Sequence, residues 1–193
     1  MFFLIISEVL PSMIFFYKRI VELKLGKMIY LIIFAIALFA VLGVWGSRTR
    51  KNFSILQDKA AETKTLIRKK LTLRYEALLN MFNEASDCMP STEKYIIQRA
   101  RVDESMEIDE LNASALLMDK AAEKINAFSE AYPSIKTSPA YNNFSSSIIQ
   151  IENELNALYQ TYNNSAMLYN SMLEKFPTSF FGKDMEPLTL FKH

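Results

Sequence analysis

Side chains that commonly carry chemistry are scarce in this chain. The single histidine, His193, stands at the last position, and the single cysteine, Cys88, has no partner for an internal disulfide. A terminal residue frays too readily to be held as a base or a metal ligand. A lone cysteine says nothing about compartment. No His, Cys and carboxylate groups share a metal-site spacing, and with only four glycines there is no Gly-rich loop to cradle a phosphate. The expectation is a protein without catalytic residues, cofactor or metal. What stands out instead is one arginine and one repeat. Arg74 falls on the apolar stripe of a predicted helix, where an unpaired charge would be costly. It must meet a carboxylate or carbonyls, and Glu76, Glu152, Glu154 and an acidic run at Asp103 to Glu110 are the candidates. Such a group could line a ligand pocket between helices or fix helix register as a structural ion pair; the second reading is favoured. The repeat is Tyr162-Asn163, then Tyr169-Asn170, then Phe176-Pro177, with a period of seven.

A period of seven belongs to a packed helix. Tyr141, Ile148, Leu155, Tyr162, Tyr169 and Phe176 are seven apart, with Phe144, Ile151, Leu158, Ser165 and Met172 interleaved, so a helix with one apolar seam is predicted up to the stop at Pro177. The asparagines either face solvent or bond across the bundle. Repetition of the same amide beside each tyrosine favours bonding for at least one of Asn163 and Asn170.

Two further helices are predicted. Phe53 to Cys88 contains no Gly or Pro and has apolar residues at alternating steps of three and four, and Pro90 with Ser91 ends it and caps the next. The second runs from Thr92 to Glu130, and Tyr132 to Pro139 forms the following turn. The expected fold class is therefore all-α: three long helices with short turns and antiparallel neighbours, with room for a short extra C-terminal helix. Folding about Pro90 would set the acidic run beside the basic run Arg68 to Arg74. That mutual neutralisation, with a net charge of only +1, argues against a nucleic-acid partner.

The run Met28 to Gly46 carries no charge and at 1.5 Å per residue reaches about 30 Å, the thickness of a bilayer core. Tyr30 and Trp45 sit near its ends, Lys27 precedes it, and Arg48, Arg50 and Lys51 follow. It reads as a single membrane span, longer than the apolar core of a cleaved signal. Residues 1–27 are apolar and basic but interrupted by Glu8 and Pro11. They lie in the interface or precede a natural start at Met28, and both readings stay open. Basic residues nearly balance across the span, with a weak lean toward a cytoplasmic C-terminal side. The expected domains are thus 1–27, the span 28–46, a helical bundle 47–177 and a tail 178–193.

"EAYPSIKTSPAY" (Glu130 to Tyr141), then Glu152, then "YNNSAMLYNSMLEKFP" (Tyr162 to Pro177) resembles the C-terminal signature of the LemA family. The matching positions are Glu130, Tyr132, Pro133, Lys136, Tyr141, Glu152, Tyr162, Asn163, Tyr169, Asn170, Phe176 and Pro177, and Ile135 stands where leucine is usual. "RYEALLNMF" resembles an earlier family stretch, keeping Arg74, the acid Glu76 and Asn80, while Leu79 replaces a proline. Tyr159 stands where arginine is common, and "DCMPST" replaces a Gly-Tyr-rich turn. The resemblance implies a membrane-anchored helical bundle without known catalysis, and its motif residues read as structural. One branch of that family serves in magnetosome-membrane formation. The combined expectation is a non-enzymatic bacterial membrane protein that scaffolds or recruits protein partners, with self-association left open. The alternative is a membrane-tethered sensor-type bundle that binds a small ligand between helices.

Overall fold

The computed structural model describes residues 2–85 and 91–192, and side chains over 28–85 and 95–192. The predicted break at Pro90, the cap at Ser91, Cys88 and His193 lie outside the described backbone or side chains. Every regular element among the described residues is helical. Helix α1 spans Phe2–Glu84, α2 Ser91–Arg99, α3 Ile108–Ala131, α4 Pro133–Lys136 and α5 Pro139–Glu174, and a 3-10 turn covers Thr178–Phe181. The chain divides into two compact units, Met1–Arg50 and Lys51–His193.

In the first unit α1 holds the one described helix that is long and apolar enough to cross a membrane. Every residue from Met28 to Val44 is exposed, on all sides of the helix. A helix apolar all round and covered by no protein fits a single membrane span. Where the run ends, Ser47 and Thr49 hydroxyls donate to the carbonyls of Gly43 and Trp45, four residues back (2.9 and 3.0 Å). Residues 2–27 have helical backbone within α1; their reading as an interfacial segment concerns side chains outside the described ones.

The second unit is built on the predicted stripe of α1. Ala60, Ile67, Leu71, Leu78, Met81 and Phe82 form one buried core cluster with Leu111, Met118 and Ile125 of α3 and Phe144, Ile148, Leu155 and Tyr162 of α5, while Phe53 is buried beside Tyr169. α1 and α5 run antiparallel, since Arg74 meets Glu152 while Lys70 pairs with Glu154.

The long second helix does not exist as predicted. α2 ends at Arg99, residues 100–107 form a non-helical connection, and α3 begins at Ile108. In one continuous helix Asp103 and Glu107 would repel at i, i+4. Starting α3 at Ile108 instead places Asp109 and Glu110 in a first turn, where the helix dipole favours acids. Glu110 also accepts from the Glu107 N–H (2.8 Å). The break changes both direction and register. Irregular chain advances about twice as far per residue as helix, so the acidic run overshoots the segment 70–77. Glu107 pairs with Lys64 (2.7 Å), and the Met106 carbonyl accepts from Arg68 Nη2 (3.1 Å). With Arg74 meeting Asp119 further on, α3 runs parallel to α1 rather than antiparallel.

The α5 seam follows the heptads from Phe144 to Tyr169. It fails at Phe176, which is 87% exposed. α5 ends at Glu174, and Lys175 is already extended (ψ 128°), so the heptad spacing has lost its meaning two residues later.

Candidate functional site

Two constructions gather the motif residues. The first surrounds Arg74, whose side chain is 6% exposed on the inward stripe of α1. Its Nη2 lies 2.7 Å from Asp119 Oδ1 of α3 and 2.9 Å from Glu152 Oε1 of α5. One guanidinium thus ties three helices at a single level. Of the carboxylates expected from sequence, Glu152 is the partner. Glu76 is exposed, and Glu154 goes to Lys70, whose ammonium holds its carboxyl below the usual range. Asp119 had no sequence signal, because its place opposite Arg74 depends on the parallel course of α3. The three charges, with Leu155, Asn156 and Tyr159, line an open cavity of about 320 Å³. Burial pushes the Tyr159 phenol up to about 12, so at neutral pH it is an uncharged hydroxyl beside the ion cluster. Arg74 Nε has no hydrogen-bond partner among the described residues.

The second construction answers why the Tyr-Asn pair repeats every seven residues. Residues 187–192 form a strap, a non-helical segment running back along α5. Asn170 Nδ2 donates to the Leu188 carbonyl (2.9 Å) and its Oδ1 accepts from the Leu188 N–H (2.8 Å). Asn163 does the same with Phe191, at 3.0 and 2.9 Å. A carboxamide offers one donor edge and one acceptor, so each asparagine substitutes for a neighbouring strand's peptide group. Seven residues of helix advance about 10.5 Å, and three of extended chain about 10 Å. The heptad period is therefore the period at which a helix can pair with every third residue of an extended strap. Between the two amides the Tyr162 hydroxyl donates to the Thr189 carbonyl (3.0 Å), and beyond them the Lys192 N–H donates to Asn112 Oδ1 of α3 (3.2 Å). Phe191 is buried, its ring centroid 5.1 Å from that of Tyr159 and 5.0 Å from that of Tyr162. Segment 178–193, read from sequence as a tail, belongs to the second unit.

The remaining motif residues build the corner between α3 and α5. Glu130 pairs with Lys136 (2.5 Å) and raises the pKa of that ammonium. Tyr132 stacks on Phe128 with centroids 6.2 Å apart, and Pro133 opens α4, where its missing N–H costs nothing. The Tyr141 hydroxyl lies 3.0 Å from Ser129 Oγ and 3.3 Å from Asn126 Oδ1. Asn80 is exposed at a recess between α1 and α5, and Tyr169 is buried edge-on against Phe53 (5.5 Å). Phe176 and Pro177 lie beyond α5, apart from both constructions. Among the described residues no group of three or more His, Cys, Asp or Glu could hold a metal ion.

The LemA family model matches residues 65–191, which takes in Arg74, the corner, the Tyr-Asn repeat and the strap as far as Phe191. No curated protein matches the chain.

Proposed function

From the premise that the chain belongs to the LemA family, we propose that it is a non-enzymatic, single-pass protein of a bacterial membrane. Its helical unit serves there as a scaffold that recruits protein partners. The observation that carries this reading is the pairing of an all-round apolar helix with a unit whose unusual side chains serve packing. Arg74 joins three helices, the asparagines hold the strap, and the Glu130 to Tyr141 motif forms a corner. Work at a bilayer by a rigid surface needs these properties and no reactive group. A role in membrane organisation, as in the magnetosome branch, is one form this could take.

A second reading has one observation in its favour. The cavity at Arg74 is open, polar and three-sided, and it has an unpartnered buried Nε. A small polar ligand could enter it, as in a membrane-tethered sensor. The two readings part in one experiment: affinity capture of the full chain from cross-linked native membranes, followed by mass spectrometry of proteins and small molecules. Recurrent protein partners support the scaffold. A retained small molecule that is lost on Asn156→Leu would replace it with the sensor reading.

A further inference from the structure

The turn joining α5 to the strap is unlike a surface turn in water. Phe176 is 87% exposed and Phe180 76% exposed, and they lie four residues apart. Yet the backbone that carries them is closely tied. The Thr178 hydroxyl lies 2.7 Å from the carbonyls of both Met172 and Lys175, and the Ser179 N–H donates to the Lys175 carbonyl (2.9 Å). The Phe180 N–H reaches the Pro177 carbonyl (3.3 Å), and the Phe180 ring stands edge-on to Phe181, 5.6 Å between centroids. From the far side, the strap pins the turn through Asn170 and Asn163. The two aromatic rings are held outward by structure.

Their position names the partner. Gly182 packs so closely under the turn that a Cβ there would lie 2.5 Å from Leu173 Cδ2 and 3.1 Å from Phe53 Cζ. The turn thus closes over Phe53, at the end of the second unit where the chain enters from the apolar run. Gly46 is seven residues from Phe53, a reach of at most about 25 Å even for extended chain. Lys175 and Lys183 flank the rings and are themselves accompanied by Glu174 and Asp184, all exposed. Local charge is balanced, so the surface does not call for an anionic leaflet; exposed rings between long lysines suit the headgroup boundary of any bilayer.

We propose that residues 175–183 form a lipid-contacting foot, in which Phe176 and Phe180 enter the interface of the bilayer that the chain's own apolar helix spans. This rests on the membrane reading above and adds a second point of attachment to the bilayer, separate from the apolar helix.

The test uses the full chain in phosphatidylcholine vesicles, with Trp45→Phe to remove the one native tryptophan. Into this background go Phe176→Trp, Phe180→Trp and, as control, Leu116→Trp at an exposed position of α3 distant from the turn. The foot predicts blue-shifted emission and clear quenching by brominated lipid for the first two variants, since an aromatic ring at headgroup level lies against the acyl chains. The control should stay red-shifted and unquenched. Should the protein float with the vesicles while Phe176→Trp and Phe180→Trp behave like the control, the foot is overturned and the anchor stands. Should the protein fail to float, the membrane reading itself falls, and the foot with it.

Discussion

Replacing Asn170 by alanine removes two hydrogen bonds of 2.8 and 2.9 Å and leaves the Leu188 N–H and carbonyl unpaired by protein. At about 0.5–1.5 kcal/mol net for each bond, the loss is about 1–3 kcal/mol. Alanine returns roughly 0.5 kcal/mol through its better helix propensity. Asn170 is half-buried, so water can reach the freed groups, and the lower half of the range is expected. Asn163→Ala should behave alike, but the two losses should not add. Either change loosens the same strap, and the total cannot exceed the free energy of lifting it from α5. Amide exchange in detergent-solubilised full chain reads this directly. Leu188 and Phe191 N–H groups should be protected in the native protein, and each variant should lower protection about tenfold per 1.4 kcal/mol. Asn170→Asp is a sharper probe, because it keeps the acceptor for the N–H but loses the donor to the carbonyl. Unprotected Leu188 and Phe191 amides in the native chain, or asparagine variants with unchanged exchange, would refute the account of the heptad.

Arg74→Met should cost about 1–3 kcal/mol in urea melts, less than for a fully buried pair because Asp119 and Glu152 are each 42% exposed. Adding Glu152→Gln to that variant should recover part of the loss, since it removes one of two carboxylates left without a counter-charge. Tyr159 supplies a pH test: with the folded phenol at about 12 and the unfolded one near the ordinary tyrosine value of about 10, its contribution is intact below pH 10 and declines as pH rises toward 12. Tyr159→Phe should therefore flatten the alkaline limb of a stability profile, and an unchanged limb would remove the assignment. Gly182→Ala should destabilise by about 1 kcal/mol, the low end of overpacking costs, because the half-buried Leu173 side chain can swing its Cδ2 aside and the Phe53 ring must yield only slightly; a stabilised variant in thermal melts would mean that neither side chain holds the turn in place.

Whatever depends on neighbours along the chain could be read from the order of the amino acids. The charge-free run Met28 to Gly46, the stripe of α1, the α5 seam and the corner at Tyr132 to Pro139 are each written in local spacing, because burial of one helix face demands a period near 3.6. The same spacing exposed the need of Arg74 for a carboxylate and the oddity of a repeated asparagine. Which atoms lie across from them follows from the folded arrangement of the helices. An acidic run reads as helical by pattern, but whether it stays inside a helix or begins one is settled by where its charges find partners. Breaking the chain at residues 100–107 reversed the course of α3 and brought Asp119 to Arg74. Leu188 and Phe191 gave no periodic signal, since an extended strap is specified by the surface it lies on. The asparagine heptad encodes that strap only through the near-equality of seven helical and three extended steps, and that match becomes visible once both chains are seen side by side.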